Sequence, residues 1–444
     1  MRIRNQATRI SLLSLRTPHM RAFHMTWFAF FLAFFGWFGV APLMAVVRED
    51  LSLTKTQIGN TIIASVLITV VVRVLIGPLC ERFGPRRVYA WLLSGGSVPV
   101  MCVGLAQNYM AFLLFRLGIG AIGAAFVVTQ YHTSVMFAPN VVGTANATTA
   151  GWGNVGGGVT QIVMPLVLAA LVGLGVDRFL GWRLAMVIPG VGLFITGVAY
   201  ALFTQDAPDG DFKTLRASGD AAAPTRVGFD SLLSAARDVR VWALVIIYAA
   251  CFGIELTINN VAALYYHDRF TLDVRTAGLI AGLFGLMNIF ARTLGGALSD
   301  RFARTRGLCG RVSFLGGVVL IEGAALIGFS RMASLPFAVG AMLVFSLFVQ
   351  MASGATFGVV PFVNKKALGA VAGLVGAGGN AGAVLAGFLF RTDALSTQNA
   401  LLVLGVAAAV SSSCSLVVRF SPAAEAEQRQ AIEESLAGAA TVAG

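Results

Sequence analysis

Long apolar stretches recur along this 444-residue chain and constrain its fold more than any other feature. About 20 mainly apolar residues are enough to cross a bilayer as a helix. Here 57% of the residues are hydrophobic, 12% are charged and the mean hydropathy is +0.81, whereas about a quarter of the residues in an ordinary globular domain are charged. The sequence therefore predicts an all-α, polytopic membrane protein.

Twelve spanning helices are predicted, six on each side of a polar segment. The expected order is a basic cytoplasmic tail (1–26), a six-helix bundle (27–203), a cytoplasmic linker (204–240), a second six-helix bundle (241–418) and a cytoplasmic tail (419–444). The helices are placed near 27–47, 57–78, 88–106, 109–137, 143–174, 183–203, 241–266, 276–298, 312–330, 335–360, 367–390 and 399–418.

Positive charge indicates the orientation of this topology. Most of the 32 Lys and Arg residues fall in segments on the same side as the N-terminus, and basic residues collect in cytoplasmic loops of membrane proteins. The net charge of +12 is therefore interpreted as an orientation signal, without a nucleic-acid partner. We expect a multi-pass protein of the cytoplasmic (inner) membrane, with both termini cytoplasmic and the lipid bilayer as its surroundings, that functions as a monomer.

The sequence shows no motif of enzymatic chemistry. Its five cysteines lie in or beside apolar segments, without the spacing of a disulfide framework or a zinc site. A nucleophile elbow, a phosphate-binding loop and a haem attachment motif are also absent from the sequence. We therefore expect no catalytic residues, no cofactor and no metal, and we predict that the protein is not an enzyme.

One charged motif occurs once in each predicted half. It reads Arg73-Val-Leu-Ile-Gly-Pro-Leu-Cys-Glu-Arg-Phe83 in the first half and Arg292-Thr-Leu-Gly-Gly-Ala-Leu-Ser-Asp-Arg-Phe302 in the second. Glycine permits close helix approach, and an acid with arginines can form charge-assisted pairs that open and close with conformation. The shallow residues of the motif are assigned to a cytoplasmic gate: Gly77, Glu81, Arg82, Gly296, Asp300 and Arg301.

Arg73 and Arg292 lie deeper in the membrane than the acids of the same motif, by about 12 Å at 1.5 Å per residue. An arginine inside a spanning helix is costly and is a functional-site hypothesis by default. A structural arginine that pairs with a buried acid or with carbonyl groups is the alternative. Two guanidinium groups at equivalent positions favour one anion site built from both halves, since their planar forks fit a planar oxyanion.

A glycine-rich motif with one asparagine is also duplicated. Residues 150–161 read AGWGNVGGGVTQ and residues 376–382 read GAGGNAG. Glycine weakens a helix by up to about 1 kcal/mol relative to alanine, so these glycines must provide close packing or expose backbone to a ligand. An asparagine amide can donate to an oxyanion without adding charge. The predicted substrate-binding residues of the two motifs are Gly153, Asn154, Gly156, Gly157, Gly379 and Asn380.

These two motifs resemble the nitrate signatures of the nitrate/nitrite porter family of the major facilitator superfamily. The resemblance extends to Tyr131 in the fourth helix and to residues 252–260 in the seventh, and it covers residues 27–420. After Asn380 the second signature departs from the family's pattern. The resemblance implies the major facilitator fold, with two six-helix halves.

The resemblance also implies the substrate and its contacts. In such a protein Arg73 and Arg292 bind nitrate or nitrite from opposite sides, and the glycine-rich helices line the substrate path. Tyr131, Asn259 and Asn260 are expected as further contacts with the anion.

The coupling step stays open at the level of sequence. Glu255 is expected in the protein interior, where it either carries a proton or forms a salt bridge to Arg116 or to a substrate arginine. His132 is either a proton-coupling residue or a hydrogen-bonded interior histidine. The proton-coupling candidates are therefore Glu255, Arg116 and His132, while Glu322 is expected to pair or to face a cavity.

The functional hypothesis is secondary active transport of nitrate, and of nitrite as a second substrate, by alternating access and proton symport. The wording of the first glycine motif and the presence of Glu255 favour the assimilatory, proton-coupled branch of the family over exchange. The alternatives are a nitrate/nitrite antiporter, an organic-anion facilitator and a non-transporting nitrate sensor. A sensor would need an output domain, for which residues 204–240 and 421–444 are too short.

Overall fold

The computed structural model describes residues 5–218, 229–272, 274–391 and 395–441, which fold almost entirely into α-helices. Up to the linker these are α1 (Pro18–Phe38), α2 (Met44–Asp50), α3 (Lys55–Phe83), α4 (Pro85–Cys102), α5 (Tyr109–Gly120), α6 (Ala125–Met136), α7 (Val142–Gly173), α8 (Arg178–Ala185) and α9 (Val187–Phe203). From the linker onward they are α10 (Phe212–Ala217), α11 (Phe229–Ala236), α12 (Val239–Phe270), α13 (Val274–Leu286), α14 (Ala291–Ser330), α15 (Leu335–Val363), α16 (Leu368–Arg391), α17 (Thr397–Ser411) and α18 (Pro422–Thr441).

The predicted spanning helices are all found in the structure. The described residues contain 11 helical stretches that are long and apolar enough to cross a bilayer. One of them, Ile280–Ser330, is 51 residues long and contains most of the predicted helix 276–298 and all of the predicted helix 312–330. Gly307 separates these two, with φ 65° and ψ −149°, a left-handed backbone conformation that glycine adopts readily. The prediction of an all-α membrane protein with twelve spanning helices is therefore confirmed.

Helix α1 begins inside the segment predicted as a basic tail. Its first residue is Pro18, which suits a first helical turn because an N–H there has no intrahelical partner. The Thr17 hydroxyl accepts from the N–H of Met20, 3.3 Å. Ahead of the helix, the N–H of Ala7 donates to the carbonyl oxygen of Met136, 3.0 Å. The described part of the tail is thus held at the end of α6.

The linker contains the short helices α10 and α11, and residues 219–228 between them lie outside the described part. Asp206 and Phe212 are buried, with 2% and 1% of their surface exposed. The Asp206 carboxylate accepts from the backbone N–H groups of Arg86, 2.9 Å, and Phe212, 3.0 Å. Arg86 also forms an ion pair with Asp211. The first part of the linker is therefore fastened to the connection between α3 and α4.

The described residues next to both chain ends and the described part of the linker lie at one end of the bundle, here named the linker face; the opposite end is the far face. Asn5 donates to Asp209 of the linker, 2.6 Å. Glu425 of α18 accepts from the N–H groups of Leu308, 2.9 Å, and Cys309, 2.7 Å, directly after the break in α14. The described segments near the two chain ends therefore pack against the same side of the molecule.

Glycines let the two halves approach closely near the linker face. A Cβ on Gly77 of α3 would lie 1.9 Å from the carbonyl oxygen of Gly369 in α16. A Cβ on Gly296 of α14 would lie 2.3 Å from the carbonyl oxygen of Gly143 in α7. Any side chain at Gly77 or Gly296 would force the backbones apart. The halves are thus packed backbone to backbone along α3 with α16 and along α14 with α7.

Candidate functional site

Arg73 lies inside α3 and is completely buried. Its Nε and Nη2 donate to the carbonyl oxygen of Gly123, 3.1 and 3.0 Å, and its Nη1 donates to the carbonyl oxygen of Gly376 in α16, 2.8 Å. Gly123 belongs to the same half as Arg73, whereas Gly376 belongs to the other half. The guanidinium group therefore lies at the interface between the halves and contacts both.

Arg292, in α14, forms a buried ion pair with Glu255 of α12, with 2.5 Å between Nη2 and Oε2. The side-chain amide of Asn288 donates to the other carboxylate oxygen of Glu255, 3.0 Å. Of the alternatives left open for Glu255, the structure shows a salt bridge, and its partner is Arg292. Arg116 donates instead to the carbonyl oxygen of Trp37, 3.2 Å.

Each arginine also meets the asparagine of the glycine-rich helix in the opposite half. With its amide oxygen facing the guanidinium, Asn154 of α7 accepts from Nη1 and Nη2 of Arg292, 3.2 and 3.0 Å. In the same orientation, Asn380 of α16 accepts from Nε and Nη1 of Arg73, 3.3 Å each. The two duplicated motifs of the sequence are thus paired with each other across the interface between the halves.

Aromatic rings lie against both guanidinium groups. The Cζ atoms of Arg73 and Arg292 are 5.4 and 5.7 Å from the centre of the Phe252 ring, and Arg73 Cζ is 5.0 Å from that of Phe126. The Tyr248 and Phe252 rings are stacked, 5.2 Å apart at an angle of 5°, and Phe126 is stacked against both. Aromatic faces attract cations, so these rings fix the arginines and form a flat wall beside them.

Tyr248 and Phe126 are site residues that the sequence did not single out. The Tyr248 hydroxyl is buried close to both arginines and interacts with Arg292, yet its O–H has no acceptor among the described groups. A buried donor without an acceptor is costly, so this one suits a ligand that accepts a hydrogen bond. The signal was in the spacing, because positions 248, 252 and 255 share one face of a helix and Glu255 is predicted to face the interior.

The site carries one uncompensated positive charge. Glu255 offsets the charge of Arg292, whereas the described partners of the Arg73 guanidinium are carbonyl oxygens, the Asn380 amide and aromatic faces. A buried cation held by neutral groups is strongly favoured by an added counter-charge. The arrangement can therefore hold one small monoanion between the two arginines, beside the Tyr248 hydroxyl.

Two of the predicted substrate-binding glycines are packing positions. A Cβ on Gly153 would lie 1.9 Å from the ring of Phe30, and one on Gly156 would lie 2.1 Å from the carbonyl oxygen of Phe31. Both aromatic residues belong to α1. The structure therefore places Gly153 and Gly156 against α1 and not against the two arginines, because α7 needs them to approach that helix.

Gly379, in contrast, shapes the site itself. A Cβ at this position would lie 2.7 Å from the Phe252 ring and 2.8 Å from the Tyr248 ring, so a side chain would displace the aromatic wall. Gly157 has more room, since its Cβ would lie 3.3 Å from the ring of Phe38. Gly157 therefore adjoins α1 without the close approach that its neighbours require.

The further contacts predicted for the anion lie elsewhere or outside the described part. Tyr131 is buried near Glu81 and Cys80 at the linker face, so it lies with residues predicted for the gate. Asn259 is exposed and lies on α12 beyond the ion pair, towards the far face. The side chain of Asn260 is outside the described part of the chain.

His132 has both ring nitrogens engaged. Nδ1 lies 2.6 Å from the hydroxyl of Tyr200, and Nε2 lies 2.8 Å from the carbonyl oxygen of Gln205. Because a carbonyl oxygen only accepts, Nε2 carries the proton and donates, and Nδ1 accepts from the hydroxyl. This arrangement favours the hydrogen-bonded interior histidine over a proton-coupling role.

The acid of the first charged motif caps a helix of the other half. Glu81 Oε1 accepts from the N–H groups of Gly369, 2.9 Å, and Ala370, 3.3 Å, the second and third residues of α16. A carboxylate is stabilised at a helix N-terminus by the free N–H groups and by the helix dipole. Arg216 of the linker donates to the carbonyl oxygens of Glu81 and Arg82, whereas the Arg82 side chain is exposed. This contact joins α3, α16 and the linker.

The acid of the second motif makes the equivalent contact, and here a residue of the second half caps a helix of the first half. Asp300 accepts from the N–H groups of Gly143, 3.1 Å, and Thr144, 2.6 Å, the second and third residues of α7. The buried Arg311 also donates to Asp300, 2.6 Å, while the Arg301 side chain is exposed. The acids of the two motifs thus hold the halves together at the linker face by a pair of matching caps.

Sequence comparison connects this geometry to known transporters. The model of the Major Facilitator Superfamily matches residues 26–385. The high affinity nitrate transporter 2.5 of Arabidopsis thaliana is 42% identical over 416 residues, which cover 93% of this chain and 82% of that protein. The nitrate/nitrite transporter NrtP of Picosynechococcus is 29% identical over 467 residues, covering 85% and 86% of the two chains.

Solved structures show the same fold at much lower identity. The proton:xylose symporter XylE has a TM-score of 0.69 at 13% identity, with 89% of this chain and 94% of that chain covered. The E. coli fucose:proton symporter FucP has a TM-score of 0.66 at 15% identity, with 90% and 100% covered. At such identities the likeness concerns the fold, and it confirms the predicted major facilitator fold.

Proposed function

The chain belongs to the nitrate/nitrite porter family of the major facilitator superfamily, and from this membership we propose that it moves nitrate, with nitrite as a second substrate, by proton symport and alternating access. It is a transporter and not an enzyme. The substrate assignment rests on two buried arginines, Arg73 and Arg292, which come from opposite halves and lie beside the same Phe252 ring.

Nitrate suits this site in charge and in shape. It is a planar monoanion with three acceptor oxygens, and a guanidinium fork binds such a group with two parallel hydrogen bonds. One anion between Arg73 and Arg292 offsets the uncompensated charge of Arg73, while the Tyr248 hydroxyl supplies another donor. Substrate sites of this superfamily lie near the bilayer midplane at the interface of the halves, which agrees with the cross-half contacts of both arginines.

The position of the two caps supports alternating access. The distribution of Lys and Arg favours a cytoplasmic linker face, and in that orientation Glu81 on α16 and Asp300 on α7 close this conformation towards the cytoplasm. Opening that face has to break both caps. It also has to separate each arginine from the asparagine of the opposite half, which weakens the anion site as the path to the cytoplasm opens.

The ion pair of Glu255 supplies a mechanism for proton coupling. While the carboxylate holds Arg292, that fork is occupied and the anion competes for it. Protonation of Glu255 removes the negative charge and releases Arg292 to the anion. Proton and nitrate therefore favour each other's binding, and by linkage this coupling is reciprocal. An exchanger would need no such proton-sensitive partner.

Uptake by the full-length protein in proteoliposomes tests the proposal. Nitrate uptake is measured with the pH outside lower than inside, with equal pH, and with a protonophore. We expect the gradient to accelerate uptake and the protonophore to abolish this acceleration. Uptake that ignores the gradient and requires internal nitrite would instead establish antiport. Inhibition of labelled nitrate uptake by oxalate or a phosphate ester, but not by nitrite, would support the organic-anion alternative.

A further inference from the structure

Glu322 is a completely buried acid that the transport mechanism above does not use. It lies in the second part of α14, beyond the break at Gly307, and 0% of its surface is exposed. Neither carboxyl oxygen has a hydrogen-bond partner of good geometry among the described residues, and the side chain that interacts with them is the weakly polar Cys251 thiol. A polar group buried in this way is costly, and an acid inside a spanning helix is a functional-site hypothesis by default.

The helices packed around Glu322 offer it no counter-ion. The next residue, Gly323, is in close contact with α17, since a Cβ there would lie 2.4 Å from the backbone nitrogen of Ala409. Neither α17 (Thr397–Ser411) nor α15 (Leu335–Val363) contains an ionisable residue. Cys414 follows α17 in a short segment that packs beside Gly316, nearer the linker face.

The titratable neighbours of Glu322 lie on α12. They are the Cys251 thiol and the carboxylate of Glu255, which are four residues apart and therefore on one face of that helix. The thiol donates to the carbonyl oxygen of Ile247, 2.9 Å, and also interacts with the Glu322 carboxyl group. Arg292 is already paired with Glu255. Glu322 therefore interacts electrostatically with the proton-coupling carboxylate, and its counter-charge is not supplied by the arginine.

An isolated carboxylate in this apolar place would be far more costly than the neutral acid. Glu322 therefore holds a proton in this conformation, while the neighbouring Glu255 is ionised on Arg292. One proton donor and one proton acceptor therefore both lie near the face of α12 that carries Cys251 and Glu255.

We propose that Glu322 delivers the proton that releases Arg292 to the anion, a role that rests on the proposed symport. The O–H bond of the Glu322 carboxylic acid breaks and its proton forms an O–H bond with the Glu255 carboxylate. Arg292, freed from its partner, binds the anion. The Glu322 carboxylate then takes up a new proton from the side on which the anion entered. In sum, one proton is bound with each anion.

Two transport assays on the same full-length protein test this role. One measures nitrate uptake driven by a pH gradient, which needs net proton delivery. The other measures exchange of labelled for unlabelled nitrate at equal pH on both sides, which does not need it. For Glu322→Gln we expect gradient-driven uptake to fall about 100-fold, the lower end of what a positioned proton-transfer group contributes, with exchange unchanged. Glu322→Asp, which keeps an acid, should restore gradient-driven uptake.

Three results would overturn the inference. Gradient-driven uptake by Glu322→Gln at the wild-type rate would show that the acid delivers no proton. An equal loss in both assays, accompanied by a lower unfolding temperature, would show a structural role. Failure of Glu322→Asp to recover more uptake than Glu322→Gln would show that the carboxyl group is not what matters. If the wild-type protein itself ignores the gradient, the proposed symport fails first, and this role fails with it.

Discussion

Glu255 and Arg292 form a buried ion pair between α12 and α14, with 2.5 Å between Oε2 and Nη2. This pair breaks the twofold repeat of the site, because Arg73, the equivalent arginine of the first half, is held by carbonyl oxygens and an amide. The two arginines are matched in position but not in charge environment. Arg73 therefore has no acid that competes with an anion, whereas Arg292 has one until Glu255 is protonated.

Replacing either central arginine by lysine should disable transport. Lysine keeps the charge but cannot form the two-pronged contact, and a hydrogen bond to a charged group contributes about 1.5–3 kcal/mol. We expect kcat/KM for nitrate uptake to fall about 10- to 100-fold in Arg73→Lys and in Arg292→Lys. Arg331→Lys, at an exposed position after α14, is the control. A wild-type KM in either central variant would contradict the assigned role.

Glu255→Gln should separate transport from the proton gradient. Glutamine resembles the protonated acid, so Arg292 is no longer held by a carboxylate and the anion has no charged competitor. We expect nitrate exchange at equal pH to continue, and the acceleration of uptake by an acidic exterior to disappear. Glu255→Asp should keep part of that acceleration. A gradient response in Glu255→Gln equal to that of the wild type would rule out the coupling mechanism.

The two helix caps, Asp300 on α7 and Glu81 on α16, should contribute unequally to the stability of the protein. Asp300→Asn weakens a helix cap and also leaves the buried Arg311 without its acid, and breaking a buried pair typically costs about 3–5 kcal/mol. Glu81→Gln weakens a cap alone. We therefore expect a larger drop in unfolding temperature for Asp300→Asn than for Glu81→Gln.

The exposed pair Lys365 and Glu427 provides the control for the caps, since surface ion pairs contribute about 0–1 kcal/mol. Glu427→Gln should leave the unfolding temperature nearly unchanged. An effect of Asp300→Asn no larger than that of Glu427→Gln would show that the cap on α7 does not hold the halves together.

Two glycines of the same motif should respond in opposite ways to alanine. A Cβ on Gly156 would lie 2.1 Å from the carbonyl oxygen of Phe31, whereas nothing lies within 4 Å of a Cβ on Gly158. Gly156→Ala should therefore lower both the unfolding temperature and nitrate uptake. Gly158→Ala should leave uptake intact and stabilise α7 by up to about 1 kcal/mol. Equal behaviour of the two variants would refute the packing role of Gly156.

Asp206 should make stability depend on pH. Burial raises its pKa from 3.8 to about 6, although the N–H groups of Arg86 and Phe212 oppose this shift. Since the pKa is higher in the folded protein, the folded state binds more protons between these values. The contribution of Asp206 to the free energy of unfolding therefore falls as pH rises from 3.8 to about 6, by on the order of 2–3 kcal/mol, and is constant above.

Thermal unfolding of the detergent-solubilised protein between pH 4 and 7 checks this step. Asp206→Asn cannot ionise, so the difference in unfolding free energy between wild type and variant should change over that interval. Asp209→Asn, at an exposed position of the same linker, should keep the wild-type profile. A constant difference between wild type and Asp206→Asn would contradict the prediction.

The helices could be predicted because apolar length alone defines a membrane span. The start of α1 could not be predicted, since Thr17 and Pro18 lie among basic residues that resemble a solvated tail. The position of the break between the eighth and ninth spanning helices was equally hidden, because it depends on the backbone conformation of one residue, Gly307, with helix on both sides of it. Local capping and one glycine conformation decide these boundaries, and hydropathy does not report either.

Within the site, the duplication identified the residues that lie at the interface of the halves. Arg73, Arg292, Asn154 and Asn380 were found because each occurs in both halves, and their role as anion ligands stays a prediction. Tyr248 has no repeat partner of its own kind and lies in an ordinary apolar stretch, so only its position on the helix face of Glu255 gave a signal. The packing of Gly156 on α1 depends on tertiary contacts that spacing cannot show.

The unequal surroundings of the two arginines have a consequence for valence. The desolvation cost of an ion grows with the square of its charge, whereas the site offers one positive charge in excess as long as Glu255 is ionised. A monoanion such as nitrate meets an equal and opposite charge. A dianion of similar size, such as sulfate, would lose about four times as much hydration and would leave one negative charge unmatched in the membrane interior. As long as it is ionised, one acid on one of two arginines thus disfavours the entry of divalent oxyanions; its protonation, which releases Arg292 to the anion, removes this barrier.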